Sequence, residues 1–222
     1  MKRFTKKLSI AVGLVMMFGA SAHATLLTSN SMSGATVTDF STQPTVSNVT
    51  GPLQVGTPGL NIEATGSPNS GLYTNYDGWG LASNGSWGGG RTYISVNDAR
   101  PGSLVFQFLS GPVSGVGGFM NQANGLTDLI ISAFDLSHNL LEQYDVMALT
   151  DIVTPGGFNA GAFWGIQRSS ADISYFEVFG YVPVLDDLTF TGQSAPVPEP
   201  STFLLLGAGL GGLAIWRRKK QS

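Results

Sequence analysis

Apolar positions along this chain of 222 residues come in two kinds of run. Two runs are long and lie near the ends, Leu8 to Phe18 and Phe203 to Trp216. The others are short bursts in the body between Thr25 and Phe190, separated by Gly, Ser, Thr, Asn and Pro and, in the clearer half, set about 8 to 15 residues apart. They include Ala35–Phe40, Thr92–Val96, Leu104–Leu109, Val116–Met120, Asp128–Phe134, Leu140–Val146, Ala162–Ile166, Ile173–Phe179 and Leu185–Phe190. In Leu104–Leu109 a period of two places Leu104, Phe106 and Phe108 on one face and Val105, Gln107 and Leu109 on the other, which predicts a strand with one face in the core and one half covered. Asp135–Leu140, carrying Ser-His-Asn between two such runs, predicts a hairpin turn. No stretch of a dozen residues outside the termini shows capped helical periodicity. The expected body, residues 25–196, is therefore all-β, a single two-sheet, jelly-roll-like sandwich.

Composition narrows the chemistry this body can do. Only 11% of residues are charged against 42% apolar, less than half the roughly 25% charge usual in soluble domains, so the polar surface must come from Ser, Thr, Asn, Gln and Gly. The absence of Cys removes disulfides, thiolate metal sites and thiol nucleophiles together. Eight of the 11 basic residues sit at the ends: Lys2, Arg3, Lys6 and Lys7, and Arg217, Arg218, Lys219 and Lys220. From Thr25 to Pro196 only Arg91, Arg100 and Arg168 face 13 acidic residues, a net of −10. Such a body lacks the clustered Lys and Arg that nucleic-acid phosphates require.

The ends read as addresses. Lys2 to Lys7, the apolar run to Phe18 and the small residues of Ala20-Ser21-Ala22-His23-Ala24 are the three zones of a secretory signal peptide, residues 1–24, cleaved by signal peptidase after Ala24. The run is about half the roughly 20 residues of a membrane span, which argues against a retained anchor. At the other end, Pro198-Glu199-Pro200 is followed by the apolar segment 203–216 and the basic residues Arg217, Arg218, Lys219 and Lys220. As a helix this segment would be about 21 Å long, a marginal transmembrane span held by its positive flank on the cytoplasmic side, with the body across the membrane. Residues 197–222, with all three parts in order, resemble the PEP-CTERM sorting signal of Gram-negative bacteria. That resemblance implies export, inner-membrane transit, processing by a membrane protease of the exosortase type, and delivery to the cell surface or an exopolysaccharide matrix. It implies no particular activity for the body. The strand sequence from Val113 to Phe190 is also loosely similar to galactose-binding-like modules, a likeness that bears on fold rather than function.

Little in the body points to catalysis. After the signal peptide one histidine remains, His138, in the expected turn; no Gly-x-Ser-x-Gly elbow accompanies it, and there is no phosphate-binding loop before a helix. The expected catalytic set is none, and the protein is not read as an enzyme. A pair of carboxylates at glycosidase spacing cannot be located from sequence, so a carboxylate-dependent glycoside hydrolase stays as the lesser alternative. The adjacent pair Asp186-Asp187, pointing oppositely under strand alternation, is a candidate calcium site together with Asp39; the competing reading has one capping a turn and the other facing water. Tyr73, Tyr76, Trp79, Trp87 and Arg91 form an aromatic, glycine-spaced stretch that either stacks on sugar rings, with Asn75, Asp77 and Arg91 bonding hydroxyls, or plugs the open end of the sandwich. The expected function is an exported structural or adhesive protein of the envelope or matrix, with a carbohydrate-binding module as the alternative.

Overall fold

The computed structural model describes residues 24–45, 49, 51–55, 59–65, 71–97, 101–123 and 128–191. The signal-peptide zones before Ala24, the Pro198-Glu199-Pro200 triplet, the apolar segment 203–216 and the basic tail 217–220 lie outside the described residues. Among those described, no helix is long and apolar enough to cross a membrane.

Each burst forms a strand, and strands also form where the pattern was weaker. In chain order they are β1 (Ala24–Leu27), β2 (Ala35–Thr38), β3 (Leu53–Val55), β4 (Leu60–Thr65), β5 (Gly71–Thr74), β6 (Trp79–Gly80), β7 (Ser86–Trp87), β8 (Ile94–Asn97), β9 (Pro101–Phe108), β10 (Gly115–Asn121), β11 (Ile130–Phe134), β12 (Leu140–Asp145), β13 (Ala162–Arg168), β14 (Tyr175–Tyr181) and β15 (Val184–Thr191). Among the described residues there are a 3-10 turn at Ala82–Asn84 and one short α-helix, α1 (Val146–Leu149), capped by Asp145, whose carboxylate accepts from Met147 N and Ala148 N at 3.1 Å.

The strands make two main antiparallel sheets. One runs β1-β13-β10-β15-β8-β5, with β2 also on β15; the other runs β12-β11-β14-β9-β4-β3. From β9 onward the chain alternates between them, save for the β11–β12 hairpin within the second, so each crossing stitches one layer to the other and closes a core between them. β9 keeps its expected faces: Leu104 and Phe106 are fully buried, while Val105 and Gln107 are only half covered. Phe108 meets Phe190 of the other sheet with ring centroids 5.1 Å apart. Burying each such side chain contributes about 1.5–3 kcal/mol. The predicted turn is also present, between β11 and β12: Asp135 Oδ1 accepts from Ser137 N at 2.8 Å and Asn139 N at 2.9 Å, and His138 sits at φ 60°.

Ladder register puts both ends of the sandwich at one pole. Ala24 pairs with Arg168, Gln167 with Gly115, and Gly115 N donates to Thr191 Oγ1 at 2.7 Å. The start of β1 and the end of β15 are thus three strand spacings apart, about 14 Å, on the same edge. The far end of β15, Val184, lies roughly 23 Å away at 3.3 Å per residue. There Tyr73 pairs with Ser95, and Ser95 with Val184.

A second, smaller core covers the outer face of the first sheet near that far end: Leu81, Trp87, Tyr93, Ala123 and Val184, with Phe119 packed against them. The segment from Asn75 to Tyr93 supplies most of it, and amides hold that segment down. Buried Asn84 donates from Nδ2 to Asn121 Oδ1 at 2.8 Å and to the carbonyls of Gln122 and Ile152 at 2.9 Å, and its Oδ1 accepts from Thr154 N at 2.6 Å. Next to it Gly85 has φ 94°, and a Cβ there would stand 2.2 Å from the Gly157 carbonyl oxygen. Asn84→Leu keeps the volume and strands several buried groups at about 1–3 kcal/mol each, so the urea midpoint should fall sharply with unchanged slope.

Candidate functional site

Asn75 opens the covering segment in the left-handed region, at φ 55°. Its amide is consumed there: Nδ2 donates to the carbonyls of Phe40 at 3.2 Å and Gln43 at 2.7 Å, and Oδ1 accepts from Tyr93 N at 3.0 Å. Asp77 Oδ1 likewise accepts from Gly89 N at 3.0 Å. Two groups expected to bond a ligand's hydroxyls therefore bond the protein's own backbone.

The five expected glycan-binding residues divide into two groups. Tyr73, Tyr76 and Trp79 form one cluster, with centroids 4.7 Å apart for Tyr73–Trp79, 5.5 Å for Tyr73–Tyr76 and 5.9 Å for Tyr76–Trp79. Tyr76 is 45% exposed and the other two rings are half-buried, with Trp79 Nε1 shielded and without a hydrogen-bond partner. Trp87 is fully buried, stacked on Phe119 at 5.8 Å and edge-on to Tyr93 at 5.7 Å, and its Nε1 donates to the Ala160 carbonyl at 2.9 Å. No face of Trp87 is left for a sugar; it belongs to the plug. Tyr93 and Phe119, not singled out in the sequence, complete that plug, and the buried Tyr93 hydroxyl, raised above the usual tyrosine range by burial, donates to the Tyr76 carbonyl at 2.6 Å.

Arg91 seals the plug. Its guanidinium lies 4.3 Å from the Phe119 centroid and 5.5 Å from that of Trp87, and Nη1 reaches Asp186 Oδ2 at 3.1 Å and Asp187 Oδ2 at 3.9 Å. The Asp186 contact is a close ion pair without hydrogen-bond alignment, since Nη1 has no aligned acceptor. Strict alternation would have sent Asp186 and Asp187 to opposite faces, and the structure corrects that. Between the Gly117↔Thr189 and Phe119↔Asp186 pairs β15 carries one residue more than β10, a bulge with Asp187 at φ 50°, and both carboxylates come to the same guanidinium. Arg91 thus supplies the positive charge beside the carboxylates expected to hold calcium. Asp39 Oδ1 accepts from Ser41 N at 3.0 Å and Ser41 Oγ at 2.7 Å, bonds that hold its pKa down. Among the described residues no group of three or more His, Asp or Glu side chains is gathered as a metal site.

Burial pushes the Asp186 carboxyl up to about 7; repulsion from Asp187 and Asp39 adds to this, and the Asp187 N–H and Arg91 only partly offset it. The other described arginine, Arg168, is also spent internally, on Glu142 Oε1 at 2.6 Å and Asp172 at 2.7 and 2.9 Å.

Because the unfolded Asp186 carboxyl gives up its proton near 3.8 and the folded one near 7, the folded state holds more protons between those values. This group's contribution therefore falls as pH rises from about 4 to about 7. Thermal melts across that range should show the loss, and Asp186→Asn should flatten it. In the same assay Trp87→Ala should cost about 3–5 kcal/mol, and Tyr76→Ala about 1 kcal/mol or less.

The sorting residues Pro198, Glu199, Pro200, Arg217, Arg218, Lys219 and Lys220 lie outside the described residues. No curated protein matches the chain. Residues 196–219 match the PEP-CTERM protein-sorting motif, beginning five positions after the last strand residue, Thr191, and that motif implies an exported, exosortase-sorted protein that passes through the membrane to the cell surface.

Proposed function

We propose that this is a non-enzymatic protein of the cell envelope or exopolysaccharide matrix, and that its β-sandwich is displayed for structural or adhesive contact. The sorting motif at 196–219 carries this reading. The geometry of the body supports it: β1 and β15 leave by one pole, so the predicted leader and the sorting tail both attach on the membrane side, and the Tyr73–Tyr76–Trp79 cluster sits toward the other pole. Both described arginines are paired with carboxylates of the fold, so the polar surface of the described residues is mainly amides, hydroxyls and carboxylates. Signal peptidase and the exosortase are its processing partners, and no catalytic step is assigned to its side chains.

One observation favours a second reading, carbohydrate binding: Tyr73, Tyr76 and Trp79 gather as a partly exposed aromatic surface after Trp87 and Arg91 have gone into the plug.

Intact mass spectrometry of the mature protein from its host tests the sorting route. The expected mass lacks both ends, and replacing Pro198, Glu199 and Pro200 by alanine should restore the tail; a tail retained in both would make this a simple anchored protein. Pull-down on the host's own polysaccharide then separates the two roles. Loss of retention with Tyr76→Ala at unchanged melting temperature assigns carbohydrate binding to the cluster, and unchanged retention leaves the structural role alone.

A further inference from the structure

Among the described residues, the outer face of the second sheet, unlike that of the first, has no plug across β4, β9 and β14. Register lines up Asn61, Gln107 and Tyr175 in one row and Glu63, Val105 and Glu177 in the next, all pointing away from the core. The β11–β12 turn brings His138 over this face, its ring stacked on Tyr175 with centroids 4.0 Å apart. Asn61, Glu63, Val105, Gln107, His138 and Tyr175 enclose a concavity of about 180 Å³.

The polar groups in it form a chain that is unfinished at both ends. Asn61 Nδ2 donates to Gln107 Oε1 at 3.2 Å, and Gln107 Nε2 donates to the Tyr175 hydroxyl at 3.1 Å. Tyr175 accepts that bond and keeps its own proton to give. At the other end Asn61 Oδ1 is shielded from bulk water and has no partner, a state that costs about 1–3 kcal/mol until a donor arrives. Glu63 adds an acceptor, and Val105 with the Tyr175–His138 pair adds apolar surface.

We propose that this concavity binds one neutral sugar ring, whose hydroxyls donate to Asn61 and Glu63 and accept from Tyr175 while its C–H face lies on Val105 and the stacked rings. The chemistry selects that class. No Lys or Arg lines the concavity, and Glu63 would repel a phosphate, sulfate or carboxylate. β4 is already paired by β3 and β9, so an extended peptide finds no strand edge there. The volume is below the roughly 300–1,000 Å³ of drug-sized pockets and suits a single ring. The site uses none of the residues of the Tyr73–Tyr76–Trp79 cluster and does not depend on the proposed role of that cluster.

Saturation-transfer NMR on the exported protein, with D-glucose, D-galactose and D-mannose as probes, tests this. At least one hexose should receive saturation. Gln107→Leu should weaken its binding about tenfold, and Tyr175→Phe, which keeps the stacked ring and removes only the hydroxyl, about threefold to tenfold, each at unchanged melting temperature. Tyr76→Ala should leave it unaltered. The proposal is overturned if none of the three hexoses receives saturation, or if binding survives undiminished in Gln107→Leu and Tyr175→Phe. Loss confined to Tyr76→Ala would also overturn it and place the sugar on the other cluster.

Discussion

Asn84 is one side chain, yet it ties together three stretches of chain: its own loop, the end of β10 at Asn121 and Gln122, and the loop through Ile152 and Thr154, the last also bridged to its own loop at Ser86 and Phe158. Asn121 extends the knot, donating to Thr154 Oγ1 at 2.9 Å and to the Ala160 carbonyl at 2.8 Å. In so sparsely charged a protein, amides do the joining that ion pairs could do elsewhere. A fully satisfied buried network fixes one arrangement, because every shifted alternative leaves a group unpaired in a low-dielectric interior. The consequence is local but wide: the loop that Asn84 holds carries Trp87 and Arg91 onto the outer face of the first sheet, and so decides which aromatics are core and which remain at the surface.

The few charges follow the same economy. Arg91 and Arg168 each take two carboxylates, one pairing at the bulge in β15 and the other between β13, β12 and the turn before β14. Neither arginine is left to a partner. The two sheets then differ on their outer faces: the first carries the plug near one end, and the second presents rows of amides and carboxylates around Tyr175. The start of β1 and the end of β15 share one pole of the sandwich.

Strand periodicity and the C-terminal sorting motif were legible in the sequence because both are local. Alternation in a burst such as Leu104–Leu109 needs only its own residues, and the Pro-Glu-Pro, apolar and basic order of the tail is read along the chain. The plug against sugar-site question for Tyr73 to Arg91 could not be decided that way. Trp79 and Trp87 have the same polar, glycine-rich neighbours, and what separates them is that Phe119, more than thirty residues further on, stacks against Trp87 alone. Asp186 and Asp187 misled for a related reason: alternation assumes an unbroken ladder, and the bulge that reverses one of them is set by pairing with β10.

By itself, then, the sequence determined the class of fold, the absence of thiol chemistry, the acidic body and the route of export, since each follows from composition or from residues close in the chain. Only the tertiary structure decided which aromatics are buried, that Asn84 ties three stretches of chain together, and that Asn61, Gln107, His138 and Tyr175 share one hollow. Those four come from three strands and a turn, spread over more than a hundred positions, and long-range strand register, which no local pattern encodes, brings them together.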